Sequence, residues 1–294
     1  MEHITKIETE WEKPDIEAEL NEKAQPGLLP FDLFAIEHWD NKAPLEESPR
    51  QWEKLVREWK EKTLIERAPY NDAAYLDPPS PATEAQRAQI FRPNQTIFER
   101  NISIEANIGK PMTWLRTCYD PDLEEIYNEL ADKASAPRHG INLNGDRELD
   151  DKSRYAFEDW RDVYLRVPNI LDFGQLSYGP SETSWDGLDL YYCSGLNDKE
   201  MMQEVEDLEN EEAKPLYRAQ LRIQAIVYLL DQEALEKKLV KMLWIDEHGE
   251  PVWDNWIDPD RVGLDSFTGL LMDGFMPSEI IGENNYVRGS FIMN

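Results

Sequence analysis

The chain has few cysteines and no long apolar run. Cys118 and Cys193 are the only cysteines among 294 residues, which is too few for a disulfide framework, so we expect two reduced thiols. The longest apolar block, residues 225–230, has six members, far short of the roughly 18 that predict a transmembrane helix. The N-terminal residues are charged and show no signal peptide. A cytoplasmic protein without membrane contacts is expected.

Basic residues are also scarce. Sixty acidic residues stand against 31 basic ones, and the formal net charge is −29. A field of this sign repels nucleic-acid backbones and anionic membranes, so neither is expected as a partner. The same charge has two further interpretations: it keeps the protein soluble, or it attracts a basic protein.

The common catalytic signatures are missing. The sequence contains no G-x-G-x-x-G, G-x-x-x-x-G-K-[ST], H-E-x-x-H, C-x-x-C or G-x-S-x-G motif, which removes the simplest dinucleotide, P-loop, zinc-protease and hydrolase interpretations. Four histidines, His3, His38, His139 and His248, are scattered without the spacing of metal ligands. No cofactor is therefore expected, with Mg²⁺ held by acidic residues as the remaining alternative.

The most apolar stretch, residues 216–245, has apolar side chains three or four positions apart. This is the period of one helix face. The positions are Leu216, Ala219, Ile223, Ile226, Leu230 and Ala234. The pattern predicts a long central helix on which the other elements pack.

Several shorter elements follow from local signals. Ser48-Pro49 opens an amphipathic helix that ends near Thr63, and Asp120-Pro121 opens another. Residues 69–93 contain several prolines and few apolar positions, so an irregular surface segment is expected there. Alternation of apolar and polar residues at 102–108 predicts a strand that returns over 112–119, and residues 170–178 and 188–193 resemble short strands. Gly249 and Pro251 predict a tight hairpin.

Together these elements predict an α+β fold that is mostly helical. Its expected parts are the long central helix at 216–245 and a small antiparallel sheet from residues 97–119 and 170–193. Residues 1–47 are predicted to be an N-terminal arm, with an apolar stretch at 28–36 able to dock on the body. Residues 48–294 are predicted to form a single globular domain.

The final third of the chain is rich in aromatic residues that could line a ligand pocket. The candidate substrate-binding residues are Trp185, Tyr191, Trp244, Trp253 and Trp256. The alternative, which is more common for aromatic residues in a long chain, is that they are part of the core.

Acidic residues and two histidines are the candidates for acid–base catalysis. They are Asp246, Glu247, His248 and Glu250 after the aromatic end of the apolar stretch, and His139 in a turn-like context. The competing interpretation of 246–250 is a solvated hairpin tip, because Gly249 breaks the helix that a carboxylate metal site would need.

Two further acidic clusters favour structural roles. One spans residues 146–151 and the other comprises Glu124, Glu125 and Glu129; both are expected to cap helices or lie in a first helical turn.

Two functions remain open. The first is a small-molecule enzyme of lyase, cyclase or isomerase type that uses an aromatic pocket and acid–base carboxylates, without a nucleotide cofactor. The second is an acidic interaction protein, such as an inhibitor or immunity-type partner of a basic protein. A deep pocket around residues 244–256 favours the enzyme, and a flat acidic face favours the interaction protein.

Overall fold

A computed structural model describes residues 22–75, 79–107, 112–134, 148–175, 203, 205–220, 222, 225–262 and 288–291. The predicted features at 188–193, together with His139, Trp185, Tyr191 and Cys193, lie outside these residues. Within them Cys118 is a free thiol.

The described part of the chain is an α+β structure. Its helices are α1 Pro30–His38, α2 Ser48–Glu61, α3 Leu64–Tyr75, α4 Glu84–Gln86, α5 Ile97–Asn107, α6 Glu124–Ala134, α7 Lys152–Tyr155, α8 Lys214–Gln220 and α9 Gln232–Lys237. Its strands are β1 Met112–Arg116, β2 Glu148–Leu149, β3 Ala225–Leu230, β4 Val240–Ile245, β5 Pro251–Ile257 and β6 Ser290–Phe291. Short 3-10 helices include Pro121–Leu123, Trp160–Leu165 and Pro168–Gln175. No helix among the described residues has the length and hydropathy to cross a membrane.

The strands form one mixed sheet in the order β2-β1-β3-β4-β5-β6. β1 pairs in parallel with β2 and with β3, and β5 pairs in parallel with β6. The antiparallel pairs are β3 with β4 and β4 with β5. The prediction of a purely antiparallel sheet was therefore wrong, although the hairpin at residues 246–250 was predicted correctly.

The predicted long helix at 216–245 was also wrong. The segment contains α8, β3, α9 and β4 in succession. All six residues of β3 are buried, and an apolar run buried on both faces has no period that separates a strand from a helix. Asp231 ends the strand and caps α9 by accepting a hydrogen bond from the backbone N–H of Ala234 at 2.9 Å. Lys238, at a φ of 56°, then turns the chain into β4.

The predicted strand at 102–108 is helix α5 as far as residue 107. Thr96 and Glu99 form a reciprocal cap: the backbone N–H of Thr96 donates to Glu99 Oε2 at 2.7 Å, and that of Glu99 donates to Thr96 Oγ1 at 3.1 Å. This cap fixes a helix start and overrides the alternation that follows it. Residues 170–175 belong to a 3-10 helix rather than to a strand, since Pro168 sets the helical φ at its first position.

The predicted surface segment at 69–93 was wrong as well. α3 continues through Pro69 to Tyr75, and Ile90 and Phe91 are buried in the core. Apolar pairs as short as Ile90-Phe91 give no periodic signal, so the prolines dominated the sequence pattern.

Two apolar clusters cover the two faces of the sheet. Ala225, Val227 and Leu229 of β3 belong to a cluster that contains Phe31, Trp52 and Trp59 of the N-terminal helices. Ile226, Tyr228 and Leu230 belong to a second cluster with Tyr127 of α6 and Leu216 of α8. The side chains of β3 thus alternate between two cores, as the pleat of a strand requires.

Part of the predicted arm packs on the rest of the chain. Phe31 and Phe34 of α1 are buried in the first cluster, with the Phe31 and Trp52 ring centroids 5.2 Å apart. Asp32 and Arg100 are both fully buried and paired, Nη1 to Oδ1 and Nη2 to Oδ2, each at 2.7 Å. Asp32 also accepts from the backbone N–H of Gly27, so the pair joins this segment to α5. The boundary at residue 47 stays a prediction.

Asp32→Asn should destabilise the protein strongly. The change keeps the size of the side chain but leaves the Arg100 guanidinium buried without its counter-ion, and removing one partner of such a pair costs about 3–5 kcal/mol. Urea denaturation measures the free energy of unfolding. The control is Glu53→Gln, which removes the exposed pair with Arg57 and should cost no more than about 1 kcal/mol. Equal losses in the two variants would contradict the structural role of Asp32.

Candidate functional site

The predicted acidic residues at 246–250 form the turn between β4 and β5. Asp246 is buried and accepts hydrogen bonds from the backbone N–H groups of His248 at 3.0 Å and Glu250 at 2.8 Å. Its other oxygen pairs with Arg222. Gly249 holds a φ of 75° against the ring of Tyr164. Asp246 therefore acts as an organiser of the turn.

The neighbouring side chains have different partners. Glu247 is buried beside His248, with its Oε1 3.4 Å from Nε2, while His248 Nδ1 lies 2.7 Å from the carbonyl oxygen of Lys60. Glu250 is directed outward to Arg161, whose Nε donates at 2.9 Å. Asp246, Glu247 and Gly249 are buried and only Glu250 is exposed, so the turn is largely buried and not a solvated tip as one interpretation predicted. His248 attaches it to α2, and the Arg67 guanidinium of α3 donates to the Glu247 carbonyl at 2.6 Å.

The three described tryptophans of the predicted pocket have core or surface-packing roles. Trp244 and Trp253 are buried in the second cluster, and the Trp244 indole N–H donates to Asn255 Oδ1 at 3.1 Å. Trp256 carries Lys237 Nζ 4.0 Å above its ring. Trp244 and Trp253 therefore lie in the apolar cluster between the sheet and helices α6 and α8, and the Lys237 side chain covers the ring of Trp256.

A different site lies where two parallel strands end. Arg116 is the last residue of β1, and Asp150 follows β2 directly. Because β1 and β2 are parallel neighbours, their carboxyl ends meet at one edge of the sheet. A cleft of about 530 Å³ opens there, and its lining residues are Arg116, Tyr119, Pro121, Glu124, Asp150 and Lys152.

The Arg116 side chain is the fixed part of this cleft. Its side chain is 3% exposed, and its guanidinium carbon lies 3.7 Å from the ring centroid of Tyr127 and 4.5 Å from that of Tyr119. Nε donates to the carbonyl oxygen of Cys118 at 2.9 Å. Nη1 donates to Asp150 Oδ1 and Glu124 Oε1, both at 3.3 Å, and Nη2 donates to Glu124 Oε2.

Two carboxyl groups at this edge have raised pKa values. Burial, with a smaller contribution from the charge of Asp150, raises the pKa of Glu148 to about 7. Burial also raises the pKa of Asp150, against the lowering effect of Arg116. Glu148 pairs with Trp114 in the β1–β2 register, and it is two residues from Asp150, so both lie on the α6 side of the sheet.

This edge of the sheet therefore combines an anchored cation in the cleft with a nearby carboxyl group, Glu148, that can exchange protons near neutral pH. Burial also raises the pKa of Tyr119 well above its usual value, so its hydroxyl stays protonated. Within the described residues no group of three or more His, Cys, Asp and Glu side chains is arranged to hold a metal ion.

Sequence patterns identified part of this site for another role. Within the 146–151 cluster, Asp151 does cap α7, accepting from the backbone N–H of Ser153 at 2.8 Å, while Asp150 lines the cleft and Glu148 lies two residues before it on the same side of the sheet. Glu124 lies in a first helical turn as expected, yet it also pairs with Arg116. No local sequence pattern indicated that Arg116 belongs to a site. Only the pairing of the strand at 112–116 with the strand at 148–149 could have shown that Arg116 lies beside Asp150.

The chain matches no known protein family, no curated protein and no solved structure.

The raised pKa of Glu148 predicts a pH-dependent stability difference between the wild type and Glu148→Gln. The folded pKa of about 7 exceeds the usual value of 4.5, so the stabilising contribution is complete below 4.5 and is lost as the pH rises through 7. Glutamine resembles the protonated acid. The variant should melt at the same temperature as the wild type near pH 4, below both pKa values, and several degrees above the wild type near pH 8, about one pH unit above the folded pKa.

Thermal melting of both proteins across this range provides the measurement. Glu158→Gln, at an exposed position, serves as the control, and its melting temperature should not separate from that of the wild type as the pH rises. A constant difference between wild type and Glu148→Gln at every pH would contradict the assignment.

Proposed function

We propose that the protein is a small-molecule enzyme of lyase, cyclase or isomerase type that uses acid–base carboxylates and no nucleotide cofactor. The cleft beside Arg116 is its active site, with Glu148 as the proton-transfer group, Asp150 as the second carboxylate and Arg116 as the substrate anchor. The observation that carries the proposal is that two carboxyl groups with raised pKa values interact electrostatically with a buried arginine, and that one of them, Asp150, lines the same cleft as the arginine.

The position of the cleft supports this proposal. Ligands of open sheets with parallel strands commonly bind outside the carboxyl ends of the strands, and β2, β1 and β3 are parallel neighbours here. Beyond β1, the backbone N–H of Thr117 donates to the carbonyl of Leu230 at 3.2 Å, which fixes the segment leading to Tyr119. Strand ends held by such contacts keep functional side chains in place.

The aromatic part of the proposed site differs from the sequence hypothesis. Tyr119 lines the cleft and Tyr127 lies beneath the Arg116 guanidinium. The sequence hypothesis instead gave the aromatic role to Trp185, Tyr191, Trp244, Trp253 and Trp256. The tyrosine rings fix the plane of the guanidinium, and a fixed donor plane orients a bound substrate.

The proposal predicts turnover that depends on Glu148. Purified protein is incubated with a mixture of small metabolites, and mass spectrometry follows which compounds disappear and which form. General acid–base catalysis contributes about 100-fold to 10,000-fold, so Glu148→Gln should lower the conversion rate by at least about 100-fold. Glu158→Gln should convert the same compound at the wild-type rate. Conversion that is equal in all three proteins, or absent from the wild type, overturns the proposal.

A second candidate function rests on an exposed acidic segment. Residues 205–212 carry Glu206, Asp207, Glu209, Glu211 and Glu212, all exposed. Glu206 accepts three hydrogen bonds of 2.7–2.9 Å from Arg218, whereas Arg222 pairs with Asp246. Glu209 and Glu212 extend this negative surface, as a partner of a basic protein would.

This second function predicts selective and salt-sensitive binding to one basic protein. A panel of purified basic proteins is tested at low salt for association rate and affinity. Charge steering predicts that Glu209→Gln with Glu212→Gln slows association with the preferred protein, while dissociation changes little. Uniform weak binding to all panel members would contradict a specific partner. The control pair is Glu46→Gln with Glu61→Gln, at exposed positions on another part of the chain.

A further inference from the structure

The hydrogen-bonding edge of Arg116 is built to receive a planar anion. Nε is occupied within the chain by the Cys118 carbonyl, and the rings of Tyr119 and Tyr127 fix the guanidinium plane. Nη1 and Nη2 remain, and their partners Glu124 and Asp150 are themselves lining residues of the cleft. Two parallel donors in a fixed plane match the two oxygens of a carboxylate.

Glu124 occupies this edge at present. Its Oε1 and Oε2 accept from Nη1 and Nη2, which is the bidentate arrangement of an arginine–carboxylate pair. Its side chain is 51% exposed, whereas that of Arg116 is 3% exposed. Because the Glu124 side chain is already half in solvent, it can turn away from the buried guanidinium, and another carboxylate can take its place.

The surroundings of this edge also favour an anion. Lys152 lines the same cleft, and Glu124 begins α6, an 11-residue helix whose N-terminal end carries positive dipole charge. Of the guanidinium nitrogens Asp150 contacts only Nη1, at 3.3 Å, and its side chain is 27% exposed. Asp150 can therefore remain in place when the bidentate position changes its occupant.

We propose, on the basis of the proposed function, that the substrate carries a carboxylate group that replaces Glu124 on Arg116. Glu124 is an intramolecular occupant that competes with this group. On binding, the substrate carboxylate bridges Nη1 and Nη2, Glu124 turns into solvent, and the remainder of the substrate lies in the cleft beside Asp150.

The geometry favours a carboxylate over a phosphate group. Asp150 stays next to Nη1 and repels any anion placed there, and a phosphate dianion meets about twice the repulsion of a singly charged carboxylate. A planar carboxylate also matches the occupant that the site already holds. Inorganic phosphate is accordingly a useful competitor probe.

The test compares Glu124→Gln with the wild type. Acetate, benzoate and succinate are titrated separately, and the backbone amide shifts of residues 114–119 report binding. Removing the Glu124 carboxylate raises the fraction of molecules whose Arg116 edge is open. The dissociation constant of each acid that binds should therefore be about fivefold lower in Glu124→Gln than in the wild type. Glu125→Gln makes the same charge change at the next, exposed position and should bind like the wild type. Acetamide and benzamide should not bind.

A second variant tests the arginine itself. Arg116→Lys keeps the charge but removes the two parallel donors, so it should bind the acids more weakly than the wild type while thermal melting verifies that it is folded. Equal affinity in Glu124→Gln, Glu125→Gln and the wild type overturns the inference, as does the absence of binding of all three acids. Tighter binding of inorganic phosphate than of every acid overturns the carboxylate assignment.

These outcomes are separable from those of the enzyme proposal. If the acids fail to bind but Glu148-dependent turnover is found, the enzyme proposal stands and the carboxylate inference is wrong. If Glu124→Gln binds the acids more tightly but no Glu148-dependent turnover exists, the cleft is a carboxylate-binding site and the enzyme proposal is wrong.

Discussion

The burial of β3 on both faces is the constraint on which the rest of the structure depends. Its six residues have no exposed side, and its backbone pairs in parallel with β1 and antiparallel with β4. Odd-numbered side chains pack against the N-terminal helices and even-numbered ones against α6 and α8. Each layer of helices can bury its apolar face only because this strand supplies a surface to both. A one-residue shift of register would exchange the two sets.

Buried arginines connect the helices to one another and to the turn between β4 and β5. Arg67 is 1% exposed and donates to the backbone carbonyls of Trp59 and Glu247, which joins α2 and α3 to the β4–β5 turn. Arg100 meets Asp32, which is equally buried. A buried guanidinium is tolerated only when its donors are satisfied. Arg116 differs in one respect, since its bidentate partner Glu124 is half exposed. The contacts of Arg67 and Arg100 therefore suit a permanent structural role, whereas those of Arg116 suit the exchange of one partner for another.

Local signals in the sequence predicted the elements whose formation is decided locally. The proline after Ser48 places the start of α2, the Asp120-Pro121 pair precedes α6, and the strand at 112–116 and the 246–250 turn were expected. Elements decided by tertiary contacts were missed. Residues 225–230 satisfy a helical and a strand pattern equally, and only pairing with β1 and β4 selects the strand. The Thr96–Glu99 cap was present in the sequence as T-x-x-E, and the alternation after it was given too much weight.

The cleft could not be predicted for a reason of topology. Arg116 and Asp150 are separated by 34 positions and meet through the Nη1–Oδ1 contact at the end of a parallel pair. A parallel neighbour requires a crossover, and no periodicity identifies which strand it will pair with. The strand β2 has only two residues, so its backbone pairing with β1 is short. The Arg116–Asp150 contact lies directly after that pairing and holds the two strand ends together. The same guanidinium also binds Glu124, so the position of Asp150 and the occupancy of the bidentate edge both depend on the buried Arg116 side chain. A change in either carboxylate therefore alters the electrostatic interaction of Arg116 with the other.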